Sequence, residues 1–175
     1  MADTTVRPGR SPAPIQVAPD PRDLGGEFQH RVDVPVRIAD TDTFGHVHNA
    51  IYLTYFEIGR VGYLEEATGE GLPVPAFGAS LSFILADARV AFRSPAIYGE
   101  ILTVETRVAR IGGTSLTMDH RITAPAMGDD SGPGRLVAVG DTVLVRYDYD
   151  TAAATPLEAR LVSLFEAFEG RTLRA

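Results

Sequence analysis

The chain has no cysteine, which excludes disulfides, thiolate nucleophiles and thiolate metal sites. Lysine is missing too. All sixteen basic residues are arginine, which excludes Schiff-base chemistry and a Walker-type phosphate lysine. A net charge of −7 argues against a nucleic-acid partner, because phosphate neutralisation needs a basic face. An anionic ligand must therefore be held by arginines, backbone amides and hydroxyls. Nowhere do about 18 apolar residues run together, so no membrane span is expected. The N-terminal "MADTTVRPGRSPAPIQ" lacks the apolar stretch of a secretory signal, so the expected location is the cytoplasm.

Five of the twelve prolines fall before residue 22, in "RPGRSPAPIQVAPDP". Such a stretch buries too little apolar surface to offset its ordering entropy. Residues 1–26 are expected to be a disordered Pro-rich tail, and 27–175 a single domain. "FQHRVDVPVRI" (28–38) alternates, with Val32, Val34, Val36 and Ile38 on one face of a half-buried strand. "NAIYLTYFEIGRVGYLEEATG" (49–69) predicts one helix, with Asn49 as N-cap and Gly69 as C-terminal stop. Its Tyr52, Tyr55, Phe56, Gly59 and Tyr63 share a stripe, and apolar residues on its other sides suggest a helix buried in mid-domain. Gly59 and Gly62 each cost about 1 kcal/mol of helix propensity, which close packing on a sheet would offset.

Four further strands are predicted over 77–94, 100–111, 114–123 and 134–150. Gly112 and Gly113 suit a tight hairpin, and "MGDDSGPGR" a polar one. "PLEARLVSLFEAF" (156–168) predicts a short terminal helix. The sum is an α+β domain: a five-stranded antiparallel sheet around a long helix.

Chemistry concentrates in "ADTDTFGHVHNAIY" (39–52). Asp40, Asp42 and Gly45 fit a calcium loop at its positions 1, 3 and 6. However, Phe44 and Ile51 stand where oxygen ligands are needed. His46 and His48, two apart, are a poor chelate, so no metal is expected. Two readings stay open for the loop. Its short polar residues serve as caps and turns, or a carboxylate works beside helix N-terminal amides that stabilise developing negative charge.

"DTDTFGHVHNAIYLTYFEIGR" (40–60) and "VAFRSPAIYGEILTVETRVARIGGTSLTMDHRI" (90–122) resemble hotdog-fold acyl-CoA thioesterases of the 4-hydroxybenzoyl-CoA thioesterase type. The shared pattern is Asp-x-x-Gly-(His/Ile/Val)-Val-x-x-x-x-Tyr followed by an aromatic helix. The resemblance spans roughly residues 28 to 168. It implies a hotdog fold and hydrolysis of an acyl-CoA or carrier-protein thioester without a cofactor. It also implies a homodimer or homotetramer with the site at the dimer seam.

By that resemblance Asp42 is the catalytic carboxylate and the Asn49 amide polarises the carbonyl. Gly45, His46, Val47, Tyr52 and Phe56 contact substrate. The turn with Arg110, Gly112, Gly113, Thr114 and Ser115 receives the nucleotide, with Arg93 and Arg89 as the next candidates. Family members commonly carry asparagine or tyrosine where His48 stands. Glu57, read locally as a helix-face ion pair with Arg60, is the reserve carboxylate, since a second hotdog branch uses a helix glutamate. No role falls to His30 or His120. Competing readings are an acyl-thioester hydratase or dehydratase on the same fold, and a module that binds acyl-CoA or acyl-carrier protein without cleaving it.

Overall fold

The computed structural model describes residues 25–71, 82–125 and 134–174. Nearly all of the expected tail, the start of the second predicted strand and most of "MGDDSGPGR" lie outside the described residues. Alternation carries the first strand, β1 (His30–Pro35), whose Val34 is buried, and Val36 just beyond it continues that face. It does not reach Ile38, which is 73% exposed. The backbone tightens into a 3-10 turn over Ile38–Asp40, and the two-residue period ends where extended geometry ends.

With β2 (Phe83–Phe92), β3 (Ile101–Ile111), β4 (Ser115–Ala124) and β5 (Arg135–Asp148), β1 forms an antiparallel sheet in the order β1-β3-β4-β5-β2. The Gly112–Thr114 turn joins β3 to β4, closed by the Gly112 N–H donating to the Ser115 carbonyl at 2.7 Å. A sixth strand of two residues, β6 (Ala153–Ala154), was not foreseen. It pairs with the end of β5.

The long helix α1 (Ile51–Thr68) ends on Gly69, whose φ of 67° is the left-handed conformation that stops a helix. A shorter helix, α2 (Ala159–Glu169), packs against the far half of α1. Tyr63 and Leu64 join Leu116, Met118, Leu161 and Phe165 in one half of the core. Tyr52, Tyr55 and Phe56 join Val34, Val36, Leu102 and Ile122 in the other. The predicted aromatic stripe is thus the buried one. The opposite face is not enclosed: Leu53, Ile58 and Val61 are each more than one-third exposed.

Both helix glycines lie where the helix comes closest to the sheet. A Cβ on Gly59 would overlap the Thr106 hydroxyl and stand 3.0 Å from Val104 Cγ1. One on Gly62 would stand 2.7 Å from His30 Nε2. Two effects oppose each other in Gly59→Ala: a propensity gain of about 1 kcal/mol and an overpacking cost of about 1–3 kcal/mol. The neighbours are strand side chains locked in the core, so overpacking wins. The melting temperature of Gly59→Ala is expected to fall by a few degrees, and a value at or above wild type would contradict the close approach.

Candidate active site

The loop between β1 and α1 opens on a buried charge. Asp40, 1% exposed, accepts hydrogen bonds from the Arg37 backbone amide at 2.9 Å and from its guanidinium at 2.8 and 3.1 Å. The Tyr55 hydroxyl donates to the same carboxylate at 3.1 Å. Hydrogen bonding to Arg37 holds the Asp40 carboxyl below its ordinary range, and burial pushes the Tyr55 phenol up. Asp40 therefore ties the loop to the first turns of α1. Both its carboxylate oxygens are already engaged as acceptors.

Two residues on, Asp42 is half-buried and differently placed. Its Oδ1 accepts the Phe44 amide at 2.8 Å. Its backbone closes a tight loop: Asp42 N–H donates to the His46 carbonyl at 2.8 Å, and Gly45 N–H to the Asp42 carbonyl at 3.0 Å. Gly45 has a φ of 81°, with open space where a Cβ would stand, so glycine is required by conformation rather than by crowding. The Val47 amide donates to Ala96 at 2.8 Å, anchoring the loop to the segment after β2, and the Val47 side chain sits in the core. His46 is half-buried, and Phe44 stands out into solvent.

The start of the helix differs from expectation. Ala50, not Asn49, is the N-cap, and it makes no side-chain cap bond. His48 supplies the acceptors instead: its Nδ1 receives the Ala50 amide at 3.1 Å and its carbonyl the Ile51 amide at 2.9 Å. Because an amide donates to Nδ1, that nitrogen carries no proton in this arrangement. The Asn49 amide has no acceptor among the described residues. An unpaired N–H just before a helix thus belongs to the same short loop as a half-exposed carboxylate, and such an N–H is suited to holding an oxyanion.

Behind the loop, Tyr52 and Phe56 are buried. Tyr52 packs edge-on against Phe92, and burial pushes its phenol to about 12. The Phe56 ring stacks on His120 at 4.5 Å, and the absence of a side chain at Gly140 makes room for it. His120, to which no role was assigned, is fully enclosed. Its ring nitrogens meet the Thr106 hydroxyl at 3.2 Å and the Thr142 hydroxyl at 2.8 Å. Burial holds the imidazole well below its usual pKa, so it stays neutral. Nothing local in the sequence marks it; its neighbours come from three other elements. Glu57 is exposed, and the ion pair expected with Arg60 does not form, because Arg60 turns into the interior.

Asp42, Gly45, His46, Val47 and Asn49 share one loop, with Tyr52 and Phe56 following on α1. Arg110, Gly113, Thr114 and Ser115 are far from them. The loop contacts the segment just before β3, while the turn follows its last residue. The eleven residues of β3 put about 35 Å between those ends. Arg110 and Gly113 are exposed, and the Gly113 carbonyl accepts the Leu157 amide at 3.0 Å. Arg89 projects from β2 beside Asp87 at 3.4 Å, and Arg93 follows the same strand.

The profile of the thioesterase-like superfamily matches residues 36–165, a span running from the end of β1 through most of α2. The chain belongs to the thioesterase-like superfamily. The long-chain acyl-CoA thioesterase FadM of Escherichia coli is 25% identical over 131 residues, covering 75% of this chain and 92% of that protein. The chloroplastic acyl-acyl carrier protein thioesterase ATL3 of Arabidopsis thaliana is 30% identical over 93 residues, covering 53% of this chain and 48% of its own. Among solved structures, a Thermus thermophilus thioesterase complexed with coenzyme A and Zn superposes with a TM-score of 0.69 at 32% identity, covering 83% of this chain and 98% of that one. The fold is therefore the hotdog arrangement of the thioesterases, as the motif resemblance implied.

The Asp40 clamp has a pH signature. Its folded-state pKa is depressed, so its contribution is present above the unfolded carboxylate value of about 3.9 and is lost as pH falls through the folded value. In Asp40→Asn the acid-side decline in melting temperature below about pH 4 is expected to become shallower. At neutral pH the variant melts lower than wild type. Parallel curves for the two proteins would contradict the clamp.

Proposed function

We propose that this thioesterase hydrolyses an acyl-CoA thioester to a free carboxylic acid and CoA at the Asp42–Asn49 loop. The observation that carries this reading is the unpaired Asn49 amide in the same short loop as the half-exposed Asp42 carboxylate. The thioester oxygen accepts the Asn49 N–H, which stabilises the charge that grows there during addition. Asp42 acts in one of two ways. As general base it takes a proton from water, hydroxide adds to the carbonyl carbon, and collapse of the tetrahedral intermediate expels CoA thiolate, which receives that proton. As nucleophile it adds directly, expelling thiolate and leaving a mixed anhydride that water hydrolyses.

Family membership favours hydrolysis over hydration of an acyl thioester and over binding without turnover. CoA is the favoured carrier because FadM is named for acyl-CoA and the Thermus thermophilus protein is complexed with coenzyme A. The carrier-protein thioesterase ATL3 keeps an acyl-carrier-protein substrate as the second reading.

One chain does not supply both parts of the site. The loop and the Arg110–Ser115 turn are separated by the length of β3. Among the described residues, the outer edge of β2 pairs with no other strand. A second copy added at that edge satisfies its unpaired backbone groups and brings a partner's turn toward the loop. The assembly is therefore a homodimer, or a homotetramer built from two dimers, in which Arg110 and the hydroxyls of Thr114 and Ser115 hold CoA phosphate.

In thiol-trapping assays Asp42→Asn is expected to lower kcat by at least about 100-fold, with KM moving much less because the lost interaction belongs to the transition state. Near-normal turnover in Asp42→Asn together with loss in Glu57→Gln would transfer the role to the helix glutamate.

Arg110→Glu is expected to raise KM several-fold with kcat nearly unchanged, and the defect should shrink as salt screens an exposed contact over roughly 8–10 Å. An active monomer by light scattering at micromolar concentration would exclude a site shared between copies.

A further inference from the structure

Residues 93–100 join β2 to β3 and belong to no helix or strand, so contacts outside the regular ladders must hold them in place. The loop that carries Asp42 hangs from this strap at both ends. On one side the Glu100 carbonyl accepts the Val36 amide at 2.8 Å, and the Gly99 amide donates to the Val36 carbonyl at 3.3 Å. On the other side the Ala96 carbonyl accepts the Val47 amide at 2.8 Å. Between Val36 and Val47 lie Asp40, Asp42, Gly45 and His46, and Asn49 follows two residues later. The spacing of Ala96 from Glu100 therefore fixes the spacing of the two ends of the loop.

One side chain holds that spacing. Arg135, the first residue of β5, has its Nη2 2.7 Å from both Glu100 carboxylate oxygens and 3.0 Å from the Pro95 carbonyl. Its grip thus falls on both sides of Ala96. The Glu100 carboxylate in turn accepts the Ile97 amide at 2.9 Å, which closes the intervening turn. Arg135 Nη1 donates to the Pro125 carbonyl at 2.9 Å, tying the same guanidinium to the end of β4. The Arg135 and Glu100 side chains are only 14% and 16% exposed, and charge-assisted hydrogen bonds gain strength where water is scarce. Arg135 makes no bond to the loop itself. Whatever it does for the loop passes through the strap.

We propose that Arg135 is a positioning residue for thioester hydrolysis. By holding Pro95 and Glu100 it keeps the Ala96 and Glu100 carbonyls at the separation that places Asp42 and the Asn49 amide for attack. This rests on the reading of Asp42 and Asn49 as the reacting groups. A misplacement of about 1 Å in such groups costs up to about 100-fold in rate. The Arg110–Ser115 turn proposed for CoA lies at the far end of β3, so the loss belongs in kcat rather than KM.

Hydrolysis is followed by thiol trapping on the full chain, with whichever of acetyl-, octanoyl-, palmitoyl- and benzoyl-CoA the wild type cleaves fastest. Arg135→Ala, assayed well below its melting temperature, is expected to lose about 10- to 100-fold in kcat, with KM within about twofold. Glu100→Ala should lose a similar factor. The double variant should lose no more than either alone, because the two side chains act as one unit. A residue with only a structural role would lower the melting temperature and leave kcat of the folded enzyme unchanged. Wild-type kcat in folded Arg135→Ala, or losses that multiply in the double variant, overturns the proposal. Should Arg135→Ala not fold, Arg135→Lys decides, because its single ammonium does not span the Pro125 and Glu100 contacts. A lowered kcat at unchanged KM then supports the proposal, and wild-type kcat overturns it. If no thioester is cleaved, or Asp42→Asn keeps wild-type turnover, the hydrolysis reading at this loop fails, and amide hydrogen exchange decides the hold of Arg135 separately. Faster exchange at Val36 and Val47 in the Arg135 variant, with Val104 unchanged, supports that hold; equal exchange in the two proteins overturns it.

Discussion

The contact on which the structure depends is the approach of the α1 backbone to β3 at Gly59. Bare backbone there lies against the Thr106 side chain and close to Val104, and no other residue type fits. That approach sets the height and rotation of the helix over the sheet. At this height Phe56 stacks on His120 in the space that Gly140 leaves free. The same height lets the Tyr55 hydroxyl reach Asp40. A helix held farther away would lose all three relations together, because they share one rigid element.

Two aspartates two residues apart show how surroundings assign chemistry to identical side chains. Asp40 is enclosed and occupied by Arg37 and Tyr55, so its charge is spent on holding the loop against the helix. Asp42 gives one oxygen to the Phe44 amide and remains half-exposed. The left-handed Gly45 turns the chain between Asp42 and Val47, and the Ala96 contact fixes the far side of the loop. The loop is thus clamped at both ends, with one Asp42 carboxylate oxygen left available between them and the Asn49 amide just beyond. Pre-organisation of this kind is what stabilisation of a developing oxyanion requires.

The length of β3 gives the domain its other main constraint. It keeps the loop and the Arg110–Ser115 turn at opposite ends of one sheet. Among the described residues, Leu53, Ile58 and Val61 are uncovered and the outer edge of β2 pairs with no other strand.

Local patterns were legible from the sequence because they depend on neighbours along the chain. Alternation marked β1, three- and four-residue spacing marked the buried stripe from Tyr52 to Tyr63, Gly69 marked the helix stop, and Gly112–Gly113 marked the hairpin. The Asp-x-x-Gly motif led to the family, and the two glycines within α1 correctly announced close packing. What the sequence could not show depends on partners distant along the chain. Ile38 keeps the strand period but leaves the strand. Arg60 has the spacing of a helix-face ion pair with Glu57, yet it faces inward. The first helical amides turn to His48 rather than to the Asn49 side chain. His120 is enclosed by Phe56, Thr106 and Thr142, drawn from a helix and two strands. Periodicity determines which face of an element is apolar. Only the packing of elements against one another decides which polar groups are enclosed there, and whether anything in the chain remains to pair with them.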